Sequence, residues 1–154
     1  PVMNMTDGVL TPKQSKEQLI RHTLVDLGLH ETLTYTLTSE ATVNEFNLFH
    51  SLDNTVKLMS PLGEERSAAR KSLIGSLLQT IHYNNAHSNK DVNIFEIANT
   101  YSDKEVSNLA IAVSGDYVNV PWMGKKEAVD FYLVKGFVET LFKKLCIEES
   151  RYTF

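Results

Sequence analysis

The feature that most constrains this fold is how directly its β-type segments follow one another. The apolar segment Val92–Tyr101 is followed, after a short polar stretch, by Leu109–Val113, which ends at Ser114–Gly115. Parallel strands need a connection of about a dozen residues or more, whereas antiparallel strands can be joined by a short turn. The whole chain reads as helix, strand, strand, helix, strand, strand, helix. This order predicts an α+β fold with a mainly antiparallel β-sheet flanked by helices, rather than a doubly wound sheet.

The first helix has strong start and stop signals. Thr11 can cap it, Pro12 suits its first position, Gln14 can complete a capping box, and Gly28 can end it. Apolar residues recur between these limits at helical spacing. Three more helices are predicted: a short one capped by Ser39 and reaching Phe46, one capped by Ser72 and ended by the polar tract 84–89, and a last one over Asp130–Leu145.

Alternation between apolar and polar residues predicts a half-buried strand over Glu31–Thr38. Leu33, Tyr35 and Leu37 would share its buried face, and threonines would share the other. A strand is also predicted over Val56–Met59. Two smaller expectations are a loop that carries Pro121, Trp122 and Gly124, and the beginning of a strand at Arg151–Phe154.

Length and composition predict one domain. The 154 residues, 42% of them hydrophobic, fit a single domain over residues 1–154, in which residues 1–10 form a loop. The lone cysteine, Cys146, excludes an internal disulfide, and no apolar run approaches the roughly 20 residues of a membrane helix. No signal-peptide pattern is visible, so the cytoplasm is the expected location. Because the chain begins at Pro1, we expect it to be a piece of a longer gene product.

The charge balance argues against a stand-alone nucleic-acid-binding protein. The net charge is −4, from 15 basic and 19 acidic residues, whereas such proteins usually carry a basic excess. The densest basic cluster is Arg66, Arg70 and Lys71, directly after two acidic residues, and Lys125 and Lys126 form an isolated pair. These basic residues are interpreted first as solvated surface.

No residue pattern by itself identifies an active site. The histidines lack the spacing that helical metal ligands need, and no glycine lies in a phosphate-binding loop. Ser76 and Cys146 are interpreted as a helix residue and a core thiol rather than nucleophiles, and Glu64–Glu65 as ion-pair partners. We therefore predict no catalytic residue, cofactor or metal in this chain.

One stretch resembles a known family. Residues 60–79, which read SPLGEERSAARKSLIGSLLQ, are similar to a run in the bacterial phenylalanyl-tRNA synthetase beta subunit family that contains S-E-E, L-R and S-L followed by P-G-L-L. Ser60, Gly63, Ala69 and Gly75–Ser76 depart from that run. Other segments resemble family motifs in the same order along the chain: LTPKQ at 10–14, ETLTYTLTS at 31–39, NIFEI at 93–97, NLA at 108–110 and DFYLVKG at 130–136.

This resemblance implies a fold and a division of labour. The module would resemble the catalytic core of class II aminoacyl-tRNA synthetases, catalytically silent and truncated at its C-terminal end, with residues 1–10 as the linker from an upstream domain. The alpha subunit would perform the ATP-dependent charging of tRNA with phenylalanine, using magnesium, in a heterotetramer of two subunits of each kind. The resemblance also places Glu96 where an active class II site has an arginine for ATP, and a carboxylate there would repel a triphosphate.

By the same resemblance, the first long helix and the strand after it are candidate contacts with the alpha subunit. The candidate residues are Leu19, Ile20, Leu24, Leu27, Leu33, Tyr35 and Leu37. Two alternatives stay open. In one, the chain is a stand-alone ATP-dependent ligase of class II fold that binds phosphate through Arg66 or Arg70. In the other, it is a module that contacts the RNA backbone through Arg66, Arg70, Lys125 and Lys126.

Overall fold

A computed structural model describes residues 8–46 and 54–154. The helices are α1 (Pro12–Asp26), α2 (Glu40–Glu45), α3 (Ile74–Ala86) and α4 (Phe131–Lys144). The strands are β1 (His30–Glu31), β2 (Leu37–Thr38), β3 (Ala68–Ala69), β4 (Val92–Tyr101), β5 (Glu105–Ser114), β6 (Asp116–Val120) and β7 (Lys125–Ala128). Residues 1–7 of the predicted N-terminal loop lie outside the described residues.

Two of the predicted capping residues, Thr11 and Ser39, are confirmed, whereas α3 begins after Leu73, one residue beyond the predicted cap Ser72. Thr11 Oγ1 accepts from the Gln14 N–H at 3.3 Å, and the Gln14 side chain accepts from the Thr11 N–H at 2.9 Å, which is a complete capping box. The side chains of Ser39 and Asp130 accept backbone N–H groups of the first turns of α2 and α4 at 3.1 and 2.7 Å. These bonds satisfy amide groups that a helix leaves without internal partners. The helices predicted over these segments are confirmed.

The β4–β5 hairpin is the centre of the fold. Its strands pair antiparallel from Val92 opposite Ser114 to Tyr101 opposite Glu105, so β5 begins earlier than the predicted Leu109. β1 pairs with β4 in parallel, and two further sheets pair β2 with β3 and β6 with β7 in antiparallel fashion. The predicted α+β class is confirmed, but the β-structure of the described residues is divided among small sheets and includes a parallel pair.

The two faces of β4 pack into two different apolar clusters. Phe95 packs with Leu24 of α1 and Phe137 of α4 on one face, whereas Ile94 packs with Leu77 of α3 on the other. This division follows from the strand, because successive side chains point to opposite faces. Burial stabilises each large apolar side chain by roughly 1.5–3 kcal/mol, so the hairpin is fixed by helices on both sides.

The prediction of a continuous half-buried strand over Glu31–Thr38 is wrong. β1 ends at Glu31, β2 begins at Leu37, and Leu33 and Tyr35 between them are 85% and 72% exposed. The physical reason is that Thr34, at the centre of this stretch, bonds to the side-chain carboxylate of Glu96 in β4 and takes no part in a continuous backbone ladder.

Two other strand predictions are also wrong. Val56–Met59 forms a single bridge, between Lys57 and Ala68, rather than a strand. At the C-terminal end, a 3₁₀ turn ends at Arg151, and no strand follows it. The ring of Tyr152 instead makes an edge contact with a phenylalanine of α4, with the two ring centroids 4.7 Å apart. Aromatic packing on the helix replaces strand pairing at this end.

The β6–β7 hairpin occupies a region in which only a loop was predicted. Its turn is the 3₁₀ segment Pro121–Met123, followed by Gly124 at φ +61°. Tyr117 of β6 fixes the hairpin to the core, because its hydroxyl donates to the Leu27 carbonyl at 2.8 Å and its ring lies 5.5 Å from that of Phe137. The hairpin is therefore held by tertiary contacts that the local sequence does not reveal.

Candidate subunit-contact site

A buried ion pair lies beneath residues 32–36. Arg70 Nη1 is 3.0 Å from Glu96 Oε1, and the two side chains are 5% and 1% exposed. Arg70 directly follows β3, and Glu96 lies in the middle of β4. The Nε of Arg70 also donates to the Asn99 carbonyl at 3.1 Å. Buried charges need such partners, because the desolvation of an ion costs several kcal/mol.

Thr34 completes this network and connects it to the segment above. Its N–H donates to Glu96 Oε1 at 3.1 Å, and its hydroxyl donates to Glu96 Oε2 at 2.7 Å and accepts from Arg70 Nη1 at 2.8 Å. On either side, the Thr32 N–H donates to a β4 carbonyl at 2.8 Å, and the Thr36 carbonyl accepts from the Arg70 N–H at 3.0 Å. Residues 32–36 are therefore fixed at both ends and at the centre.

The side chains that alternate with these anchors point outward. Leu33 and Tyr35 are both largely exposed. The guanidinium carbon of Arg66 lies 3.5 Å from the centroid of the Tyr35 ring, in a cation–π contact. Arg66 is contributed by the 3₁₀ turn Glu64–Arg66, which precedes β3. One short segment thus carries polar anchors on its inner side and an aromatic–arginine pair on its outer side.

Tyr35 and Arg66 both line two surface grooves. The first has a volume of about 460 Å³, and Thr34, Ser39 and Gln79 are among its lining residues. The second has a volume of about 680 Å³, and its apolar walls include leucines from the loop before the 3₁₀ turn. We call the surface of the second groove the Tyr35 face; it is formed by Tyr35, Leu37, Leu58, Leu62 and Arg66.

The structure divides the predicted subunit-contact residues. Leu24 has no exposed surface and belongs to the core between α1 and α4, so its predicted role as a contact is corrected to a core role. Ile20 and Leu27 pack against the same core, and Leu19 is 39% exposed on α1. The other three residues lie along the segment beside Arg66: Leu33, Tyr35 and Leu37.

Two residues that were predicted to act on phosphate, one by binding it and one by repelling it, are buried. Arg70 was a candidate phosphate contact, but its guanidinium is buried and bonded to Glu96, Thr34 and Asn99. Glu96 was expected to present a carboxylate that repels ATP, but that carboxylate is 1% exposed and faces Arg70. Both residues are therefore structural in this conformation, because neither can reach a ligand in solvent.

The other predicted basic residues are accessible. Arg66 is half-buried against Tyr35. Lys125 and Lys126 lie on β7, where their ammonium groups are 3.2 Å from Glu127 and 3.0 Å from a carboxylate at the start of β6. The hydrogen bond from Lys126 to the Asp116 carboxylate holds the pKa of Lys126 above its usual value. The structure thus places the two lysines on the separate β6–β7 hairpin.

Residues with other possible chemistry are scattered over the described part of the chain. Within residues 8–46 and 54–154, no three His, Cys, Asp or Glu side chains come together as a metal site would require. Cys146 is exposed rather than the predicted core thiol, and it lies just after α4 with φ +56°. In the same residues, no helix combines the length and the apolar character needed to cross a bilayer.

Comparison with known proteins defines the family. The family profile described as phenylalanyl tRNA synthetase beta chain CLM domain matches residues 1–154. The chain belongs to this family. It is also 37% identical over 153 residues to the phenylalanine–tRNA ligase beta subunit of Staphylococcus aureus and 36% identical over 152 residues to that of Staphylococcus epidermidis. These matches cover 95% and 94% of the chain but only 19% of each relative.

Solved structures share the fold of this CLM domain at low identity. PylSc, a pyrrolysyl tRNA synthetase of Desulfitobacterium hafniense, has a TM-score of 0.64 at 14% identity, with 90% of this chain and 46% of that chain covered. A second structure of pyrrolysyl-tRNA synthetase from the same organism has a TM-score of 0.66 at 15% identity, with 88% and 47% covered. At these identities the likeness shows the fold alone, and it agrees with the predicted class II synthetase-like architecture.

Thr34 was not predicted as a member of the site. Alternation predicted that the threonines of this segment face solvent, whereas Thr34 contacts the buried pair. One signal could have found the network: Glu96 is a charged residue inside the apolar segment 92–97, and such residues are almost never buried unless paired.

Proposed function

We propose that this CLM domain is a catalytically silent core of a phenylalanine–tRNA ligase beta subunit and that it supports assembly with the alpha subunit. The observation that carries the proposal is the Tyr35 face, on which an aromatic ring, an arginine and aliphatic side chains are exposed together. In this proposal the alpha subunit binds ATP and magnesium and charges tRNA with phenylalanine in the cytoplasm. The beta subunit contributes this domain as a structural element of the heterotetramer.

The exposure of the face supports a partner. Tyr35 is 72% exposed, Leu62 is 106% exposed and Leu58 is 45% exposed, while Met59 between the two leucines is 104% exposed. Contiguous apolar surface of this kind marks interaction sites, and tyrosine and arginine are among the residue types enriched at the energetic centres of interfaces. Loss of water from these side chains would therefore favour association.

The buried network supports catalytic silence. Glu96, at the position where the resemblance places an ATP-binding arginine, is already bonded to Arg70 and Thr34. Neither member of the ion pair can turn to a nucleotide without leaving the other as a buried charge, which would cost about 3–5 kcal/mol. Because Arg70 is buried, it is no longer a candidate phosphate-binding residue for the stand-alone ligase alternative. Arg66 is then the one candidate that this alternative keeps.

The proposal can be tested by assembly and by activity. Leu62→Asp and Tyr35→Ala in the full beta chain should weaken association with the alpha subunit in sedimentation velocity, while Lys104→Ala, on the β4–β5 turn, should not. The beta chain alone should show no phenylalanine-dependent exchange of pyrophosphate into ATP. Robust exchange by the beta chain alone would contradict catalytic silence, and unchanged assembly of both face variants would contradict the role of the face.

A second candidate function is contact with RNA through the β6–β7 hairpin. Trp122 is 84% exposed at its turn, next to Lys125 and Lys126, and an exposed aromatic ring beside cations can stack on a base. Both lysines form ion pairs, which weakens the attraction for phosphate. Trp122→Ala should lower the tRNA affinity of the assembled enzyme if this contact exists, and Lys126→Ala should reduce the salt dependence of binding.

A further inference from the structure

Arg66 lies over the Tyr35 ring and has no carboxylate partner among the described residues. Among the described residues, the basic side chains of Arg21, Lys57 and Arg70 each pair with a glutamate, whereas Arg66 has only the ring contact at 3.5 Å and a bond from Nη1 to the Leu37 carbonyl at 3.4 Å. A guanidinium has five N–H donors in a planar fork. Its other donors have no acceptor among the residues that the structure describes.

The backbone around Arg66 is fixed. The Arg66 N–H donates to the Gly63 carbonyl at 3.2 Å, the Ser67 N–H donates to the Thr38 carbonyl at 3.1 Å, and the Ser67 hydroxyl donates to the Glu64 carbonyl at 2.8 Å. The aromatic ring beneath it is positioned by the Thr34 network. A guanidinium that is already oriented loses less entropy when it binds a ligand, so its bonds contribute more fully to affinity.

The groove in front of Arg66 has a defined chemistry. Its lining residues are Tyr35, Thr36, Leu37, Leu58, Ser60, Leu62 and Arg66, so Arg66 is the only charged one. An occupant that covers the leucines must be largely apolar, and an occupant that lies against the guanidinium must offer it acceptors, because a buried arginine without a counter-charge is strongly unfavourable. A carboxylate can accept two parallel bonds from the fork, as a phosphate also can. The apolar walls favour a carboxylate on a protein segment over the phosphate of a nucleic acid.

We propose that the Tyr35 face docks an apolar segment of the alpha subunit that carries a carboxylate, and that Arg66, stacked on Tyr35, is the anchor that binds this carboxylate. This inference rests on the proposed function and adds to it the chemistry of the partner and the residue that selects it. It also assigns Arg66 to a protein carboxylate instead of to RNA or nucleotide phosphate.

The test compares arginine variants in the full beta chain assembled with the alpha subunit. Arg66→Met keeps much of the apolar length, and we expect it to weaken association by about 10–100-fold, the loss typical of an interface anchor. Arg66→Lys keeps the charge but loses the fork and much of the stacking, and should recover only part of the affinity. Arg66→Glu should associate with the alpha subunit most weakly of the three, because its carboxylate would then face the carboxylate of the partner segment. Arg151→Met, at the exposed 3₁₀ turn after α4, is the matched control and should assemble normally.

The experiment separates this inference from the proposed function. If Leu62→Asp and Tyr35→Ala weaken assembly while Arg66→Met does not, the face is an interface but the anchor is wrong. If all three assemble like the natural protein, both proposals are wrong. If Arg66→Met instead lowers tRNA affinity and its salt dependence with unchanged assembly, Arg66 is a phosphate contact and the inference is overturned. Hydrogen exchange of the β4 amides checks that each variant is folded.

Cross-linking identifies the occupant directly. A photoreactive amino acid at Leu62, which lines the same groove as Tyr35, should capture an alpha-subunit peptide in which an Asp or Glu lies among apolar residues. Exchange of that acid for Lys should reproduce the weakening caused by Arg66→Glu, and the two changes together should restore association. Capture of a beta-chain segment, or of an alpha-subunit segment without a carboxylate, would overturn the inference.

Discussion

Arg66 and Arg70 belong to the same short segment but lie in opposite environments. Arg70 is 4% exposed and bonded to Glu96, Thr34 and the Asn99 carbonyl. Arg66 lies on the surface over the Tyr35 ring, with a single long bond to a backbone carbonyl. Arg70 contacts the inner side of the segment 32–37, and Arg66 contacts its outer side. The difference shows that one backbone segment can couple a buried polar network to an exposed contact surface.

The coupling follows from the alternation of the segment. Thr34 points inward to the ion pair and Tyr35 points outward to Arg66, because successive side chains of an extended chain face opposite directions. A buried ion pair adds little net stability compared with apolar packing, but it requires one particular geometry. We therefore interpret the Arg70–Glu96 pair as the element that sets the position of the outer face.

The largest expected effect is loss of one member of the buried pair. Arg70→Met leaves the Glu96 carboxylate buried without its counter-charge, and we expect the free energy of unfolding to fall by about 3–5 kcal/mol. Glu96→Gln leaves the guanidinium in the same position and should have a similar effect. Urea unfolding followed by circular dichroism measures the change.

The double variant Arg70→Met/Glu96→Leu is the control for this prediction. It removes both charges together, so it should be more stable than either single variant. A double variant that loses the sum of the two single effects would show that the two residues act independently, in contradiction to the 3.0 Å contact between them.

A smaller effect is expected at Thr34, which joins the two environments. Thr34→Val removes a hydroxyl that bonds both Glu96 and Arg70 but keeps the shape of the side chain, and it should lower the free energy of unfolding by about 1–3 kcal/mol. Thr36→Val, at an exposed position of the same segment, is the matched control and should change stability by less than about 0.5 kcal/mol. Equal effects of the two variants would remove Thr34 from the network.

Local signals in the sequence predicted the fold better than the site. The capping box at Thr11 and the bounds of β4 depend on neighbouring residues, and both agree with the structure. The direction in which Tyr35 points depends on Glu96, which is distant in sequence, so alternation alone placed this ring on the wrong side. The β6–β7 hairpin was missed for a related reason, since Tyr117 is held by contacts with α1 and α4.

On the outer side, Arg66→Met should change stability only slightly. A cation–π contact at an exposed site contributes about 0.5–1 kcal/mol, so the free energy of unfolding should fall by no more than about 1 kcal/mol. Tyr35→Leu removes the same contact and should lower the free energy of unfolding by a similar amount. The double variant Arg66→Met/Tyr35→Leu should be little less stable than either single variant. A loss near that of Arg70→Met would mean that Arg66 is a structural residue, and the contrast between the two arginines would disappear.

The smallest expected effect concerns Asp91, an exposed carboxylate just before β4 that contrasts with the buried Glu96. Asn119 donates to its Oδ2 at 3.0 Å and the Asp116 N–H donates to its Oδ1 at 2.9 Å, and these bonds hold the pKa of Asp91 below its usual value of 3.8. A lowered pKa stabilises the folded state above pH 3.8, and this contribution is lost as the pH falls through the lowered pKa. Asp91→Asn should therefore be slightly less stable than the natural protein at pH 7, and the difference should shrink at a pH below 3.8, as measured by thermal unfolding at both pH values. A difference that stays constant with pH would show that the charge of Asp91 does not contribute to stability.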